Sequence, residues 1–226
     1  QIILDHMEGI QKVMNLLSSP EHGVLKSLDE INAVGHRVAH GGEKFAHSAR
    51  IDSDVLNAIN ECVIYAPLHN PANLRGIEAI AEIMPNVPQV AVFDTSFHQT
   101  MPRHAFLYGI PYRFYEKDRL RRYGFHGTSH RFVSERAAEL LKKPYNLCKL
   151  ISCHLGNGCS MVAIDGGHSI DTSMGHTPLE GLVMGTRCGD LDPAVILHIM
   201  KRYELTVPEA DNLLNKHSGV LGLSWE

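Results

Sequence analysis

Apolar positions along the chain change period several times, and each change marks an element. From Ile2 to Leu17 they recur at helical spacing, and Ser18-Ser19-Pro20 ends the run. Ile31 to Val38 is a short apolar stretch running into Gly41-Gly42, which predicts a buried strand with Arg37 near its end. Helical spacing returns over Asp52 to Cys62 and Asn73 to Met84, on either side of an irregular loop from Ala66 to Pro71. Gln89 to Phe93 predicts a second strand, and Asp94 follows it directly, at a carboxyl edge of the kind where open α/β sheets gather ligands. Beyond Met101-Pro102 the pattern predicts short strands and loops, then a helix from about Ser129 to Lys142. Two strands follow, Leu150 to Cys153 and Met161 to Ile164, joined by Gly156-Asn157-Gly158, and a last helix runs from about Pro193 to Lys201. The change of pattern puts a domain boundary near residues 95 to 102, dividing an α/β domain of residues 1–98 from a second of residues 99–226.

Composition narrows the picture. A chain of 226 residues with 44% hydrophobic content can bury one sizeable core or two smaller ones, as ordinary soluble globular proteins do. A net charge of −4, with no basic run longer than Arg121-Arg122, argues against a nucleic-acid partner and for a small substrate. Five cysteines without a Cys-x-x-Cys pair exclude a disulfide framework and a thiolate zinc knuckle, and fit a reducing cytoplasm. No apolar run approaches the roughly 20 residues that span a bilayer, and Gln1 to Asp5 do not form a signal peptide, so no membrane partner is expected. The absence of an initial methionine suggests that sequence is missing upstream.

Three groups of residues carry candidate chemistry. Gly156-Asn157-Gly158 reads either as an ordinary hairpin turn or as a cradle of backbone amides for phosphate, since glycines permit backbone angles other residues resist. Neither the P-loop nor the dinucleotide fingerprint is present; Met161 stands where the latter needs glycine. His126 and His130 have the i, i+4 spacing of paired metal ligands, with His98 or His154 as a third, but Gly127 stands where a metallohydrolase usually carries glutamate. The alternative for each histidine is a hydrogen-bonded structural role. Arg37 and Arg187 sit in glycine-rich, otherwise apolar sequence, where a buried guanidinium requires an anion: an acidic side chain, or a carboxylate or phosphate ligand. With Asp94, His126 and the glycine turn, they make up the parts of a phosphoryl-transfer site.

A resemblance to the acetate kinase family rests on segments in family order across nearly the whole chain. They are His36 to Glu43 (His-Arg-Val-Ala-His-Gly-Gly-Glu), Ala66 to Pro71, Val92 to Thr100, Arg122 to His130 (Arg-Tyr-Gly-Phe-His-Gly-Thr-Ser-His), His154 to Ser160 and Asp171 to Asp192. The resemblance implies an α/β, two-domain actin-like ATPase (ribonuclease H-like) fold, here lacking the first strands and the C-terminal part. Residues 1–98 would then be the remainder of the N-terminal domain, and 99–226 the first part of the nucleotide-binding domain.

It also implies reversible, Mg²⁺- or Mn²⁺-dependent phosphoryl transfer between ATP and acetate, giving ADP and acetyl phosphate, in a cytoplasmic homodimer. Arg37 and Arg187 would hold the carboxylate and the transferring group, His126 would hydrogen-bond that group, and Asp94 would place the metal or the nucleophile. Ala39, Leu68, Phe125 and Pro178 match the pocket for the acetate methyl. His154, Leu155, Gly156, Asn157 and Gly158 match the phosphate-contacting turn. Ala39 stands where acetate-preferring members commonly carry valine, and a roomier pocket admits propionate; Cys159 and Cys188 stand where alanine and serine are usual. The family's opening Asn-x-Gly-Ser-Ser-Ser turn and its closing adenosine-binding segment are not in this sequence, which leaves a non-catalytic carboxylate-binding piece as the alternative to a working kinase.

Overall fold

A computed structural model describes residues 6–67 and 69–224, which form two compact units meeting at Ser96 and Phe97. In the first unit, helix α1 (His6–Leu17) covers the described part of the first predicted helix; Ile2 to Asp5 lie outside the described residues. Strand β1 (Val34–Val38) is shorter than its apolar run, because a capped turn at Leu28–Glu30 takes up the approach to it. A two-residue strand, β2 (Ala49–Arg50), comes next, and α2 (Ser53–Glu61) follows with Asp52 accepting the Val55 N–H at its start. Helix α3 (Asn70–Ile83) begins earlier than its periodicity predicts, since Pro71 is pre-set for a first helical turn. Strand β3 (Gln89–Phe93) lies between the other two, parallel to β1 and antiparallel to β2.

The parallel register pairs Arg37 with Val92 and Val38 with Phe93, and the Asp94 N–H donates to the Val38 carbonyl at 2.9 Å. Both carboxyl ends therefore finish at one level. Val38, Ala91 and Phe93 pack against Val55, Ile59 and Ile77 from the two helices, and the Phe45 ring stacks on Phe93 at 4.6 Å.

The second unit departs further from the hydrophobic pattern. Residues expected as short strands after Pro102 form two short helices, α4 (Arg103–Phe106) and α5 (Arg113–Asp118), each begun near a proline. Helix α6 (Gly127–Leu140) then covers an antiparallel sheet in the order β4 (Lys149–Leu155), β5 (Cys159–Asp165), β6 (His168–Thr172). Strand β6 was not expected from its mixed polarity, although Gly166 and Gly167, at φ 55° and 87°, make the two-residue turn its hairpin needs. Helices α7 (Pro193–Tyr203), α8 (Val207–Lys216) and α9 (Gly219–Ser224) follow. Among the described residues no helix is long and apolar enough to cross a membrane.

Candidate active site

In the first unit the ends of two parallel strands bring Arg37 to Asp94. The guanidinium straddles the carboxylate, with Nε donating to Oδ1 at 3.0 Å and Nη2 to Oδ2 at 2.6 Å. Asp94 is 3% exposed, but the Arg37 side chain is 71% exposed, which corrects the expectation of a buried arginine. Its anion is the carboxylate beneath it, and that hydrogen bonding raises its pKa further. Nη1 makes no hydrogen bond among the described residues. Both Asp94 oxygens are taken by Arg37, and no group of three His, Cys, Asp or Glu side chains among the described residues could hold a metal ion. In this arrangement the Asp94 carboxylate accepts both hydrogen bonds from Arg37 and so orients it.

Two asparagines on α3 fix the loop after Arg37. Asn73 donates to the Arg37 carbonyl and accepts from the Ala39 N–H, both at 3.1 Å. Buried Asn70 accepts from the His40 N–H at 3.1 Å and donates to the carbonyls of His40 and Ile59 at 3.0 Å. Half-buried Ala39 is thereby set by a residue, Asn73, that sequence reasoning missed; its signal was an i, i+3 pair of asparagines in one helical turn. Leu68 lies outside the described residues.

In the second unit the Gly156–Gly158 turn, His126 and Arg187 converge. Neither Gly156 nor Gly158 has a positive φ, so the expected conformational reason for these glycines does not apply. Close approach is the reason at Gly158: a Cβ there would lie 3.2 Å from Arg187 Nη1 and 3.7 Å from His126 Cε1. The Gly185 N–H donates to the Asn157 carbonyl at 3.0 Å, which docks the turn against the segment carrying Arg187. Leu155, at the end of β4, is 76% exposed.

Arg187 is half-buried and has no acidic partner among the described residues. Nη1 donates to the Pro178 carbonyl at 2.9 Å, and burial pushes the guanidinium pKa below its ordinary value. Phe125 and Met184 pack with Met174, leaving Cys159 at the edge of the cluster. The expected pocket residues Phe125 and Pro178 thus lie beside the arginine, the first through Met184 and the second through its carbonyl.

His126 begins α6 in the left-handed conformation, φ 57° and ψ 21°, an arrangement that costs about 1–3 kcal/mol for a non-glycine residue and collects at functional sites. Its ring stacks on His154 at 4.0 Å, and His154 Nδ1 bonds Ser129 Oγ at 2.9 Å. Among the described residues no three His, Cys, Asp or Glu side chains form a zinc ligand set. Both nitrogens of His98 are taken, by Ser169 Oγ and the Phe125 carbonyl, and both of His130 by Ser152 and Ser160.

Burial, with the neighbouring His98, His126 and His154, pushes His130 down to about 3, so it stays neutral in the fold. The unfolded chain protonates this residue near pH 6.5, and the folded chain near 3. Stability from His130 is therefore complete above pH 6.5 and is lost as pH falls toward 3, at about 1.4 kcal/mol per pH unit. His130→Gln flattens that part of the stability curve; denaturant unfolding at stepped pH checks it, and equal slopes in parent and variant contradict it.

A half-buried guanidinium beside a glycine turn and a strained histidine, in an α/β protein, is an arrangement whose chemistry suits phosphate or carboxylate. The chain matches the acetokinase family over residues 2–225, and it belongs to that family. It is 62% identical to an acetate kinase of Desulfitobacterium hafniense (strain DSM 10664 / DCB-2) over 222 residues, covering 98% of this chain and 56% of that protein. An acetate kinase of Acetivibrio thermocellus is 59% identical with the same coverage. Among solved structures, Porphyromonas gingivalis acetate kinase superposes with a TM-score of 0.94 at 48% identity, over 100% of this chain and 56% of that one. A propionate kinase from Francisella tularensis gives 0.89, also at 48%, over 96% and 54%. The fold is the actin-like ATPase fold of these kinases, and the chain spans just over half their length.

Proposed function

We propose that these residues serve a short-chain carboxylate kinase, transferring the γ-phosphoryl group of ATP reversibly and in line to acetate. The observation that carries this reading is Arg187: a half-buried cation without an acidic partner among the described residues, set against Gly158 and His126. Acetate is ionised at neutral pH, so no general base is needed; one carboxylate oxygen bonds phosphorus as the bond to the β-phosphate oxygen breaks and ADP leaves. The barrier to overcome is repulsion between two anions. Arg37, held by Asp94, and Arg187, held by the Pro178 carbonyl, lower it, His126 donates to the transferring group, and the turn from His154 to Gly158 offers backbone N–H groups to phosphate. Magnesium bound with the nucleotide would supply further charge neutralisation. The family resemblance assigns Ala39, Leu68, Phe125 and Pro178 to recognition of the acetate methyl group.

Propionate is the second reading, favoured by the small side chain of Ala39, because one methylene in such a pocket shifts specificity by only about 1–3 kcal/mol. The free state of all five cysteines supports a reducing cytoplasmic setting, and the full-length protein is read as a homodimer on the family resemblance.

The reverse reaction tests the proposal: a full-length protein containing this sequence forms ATP from acetyl phosphate and MgADP, and formation no faster than a protein-free control refutes it. His126→Ala lowers turnover about 100-fold, as loss of one oriented donor does. A pH–rate profile of unchanged height in that variant contradicts the role.

A further inference from the structure

His126 is held by a hydroxyl. Ser160 Oγ lies 2.9 Å from His126 Nδ1 and 2.8 Å from His130 Nε2, and Ser152 Oγ lies 3.0 Å from His130 Nδ1. Ser160 and His130 are fully buried and Ser152 nearly so, which removes bulk water as an alternative partner. The arrangement follows from two periodicities. His126 and His130 lie one turn apart at the start of α6, and the β4–β5 ladder sets His154 opposite Ser160, with Ser152 two residues before His154 and so on the same face of β4.

A serine hydroxyl has one proton to donate. If Ser160 gives it to His126, His130 must donate to Ser160; if Ser160 gives it to His130, His126 must donate through Nδ1. A neutral His130 has one donor nitrogen and one acceptor nitrogen, so each direction satisfies the whole row, and in either one His126 and His130 carry the same tautomer: both protonated on Nε2 when Ser160 donates to His126, both on Nδ1 when it donates to His130. His154 stacks on the His126 ring, and Arg187 lies beside the glycine turn that His126 approaches.

We propose that Ser160, backed by His130, is a positioning residue for the reaction: it fixes the orientation of His126, ties its tautomer to that of His130, and assigns any contact with the transferring group to Nε2. The consequence for turnover rests on the carboxylate kinase reading, whereas the tied tautomers do not. The comparison is between a full-length protein containing this sequence and its Ser160→Ala variant, by long-range nitrogen–proton NMR of ¹⁵N-histidine and by steady-state kinetics. The parent gives matching tautomer ratios at His126 and His130, and Ser160→Ala uncouples them. The variant's kcat falls roughly 10- to 100-fold while KM for acetate and MgATP stays within about threefold, the split expected when a reacting group is misplaced and binding is retained. Different tautomer ratios at His126 and His130 in the parent overturn the proposal without any variant having to fold. Unchanged His126 signals and kcat in Ser160→Ala overturn it as well. A parent without kinase activity whose His126 tautomer still depends on Ser160 keeps the positioning role and refutes the kinase reading.

Discussion

Arg187→Ala, in a full-length protein containing this sequence, lowers turnover roughly 1,000-fold or more, the effect of removing a cation that meets charge in the transition state. The parent structure gives this loss a distinct signature. Burial works against the Arg187 charge, and its polar contacts among the described residues are the Pro178 carbonyl and the sulfur of Met184. Removing it leaves no buried carboxylate behind, so the thermal midpoint of the variant stays level or rises. Arg187→Lys keeps the charge but not the fork, and recovers only part of the rate. Turnover of Arg187→Ala within tenfold of the parent rejects the role.

Arg37→Ala also lowers turnover roughly 1,000-fold, but its thermal midpoint moves the other way. Its guanidinium is the partner of both oxygens of Asp94, which is 3% exposed, and truncation strands that carboxylate in the interior. The midpoint therefore falls, and the double variant with Asp94→Asn recovers stability without recovering rate. Thermal melts beside kcat values separate the two arginines; a level midpoint in Arg37→Ala contradicts the account of Asp94.

The contrast between these arginines was only half legible in the sequence. Arg37 and Asp94 stood at the ends of two apolar strands, and strand ends locate residues well because the ladder fixes their level. That they pair with each other, and that Arg37 stays exposed, depends on parallel register, which periodicity does not carry. Arg187 was legible as a charge in apolar, glycine-rich surroundings. The glycine turn was found for the wrong reason: Gly158 is needed for the approach of Arg187 and not for its φ.

Strand β6 was missed because His168 to Thr172 alternates weakly, and α8 although Thr206 and Glu209 form a capping box around Pro208. Ser160 was quoted only as the end of a motif. Its importance comes from tertiary register, in which a helix and a hairpin bring one hydroxyl between two imidazoles, and no spacing in the chain announces that. The family was legible throughout, since its motifs are short, polar and in order, and they survive changes in the core between them.

Hydroxylamine trapping of acyl phosphate tests the central claim most directly. A full-length protein containing these residues is incubated with MgATP and, separately, with acetate, propionate and butyrate. The account predicts ATP-dependent hydroxamate with acetate or propionate as the preferred acid, abolished by Arg187→Ala. ATP-independent signal, or none with any of the three acids from a folded protein, contradicts it.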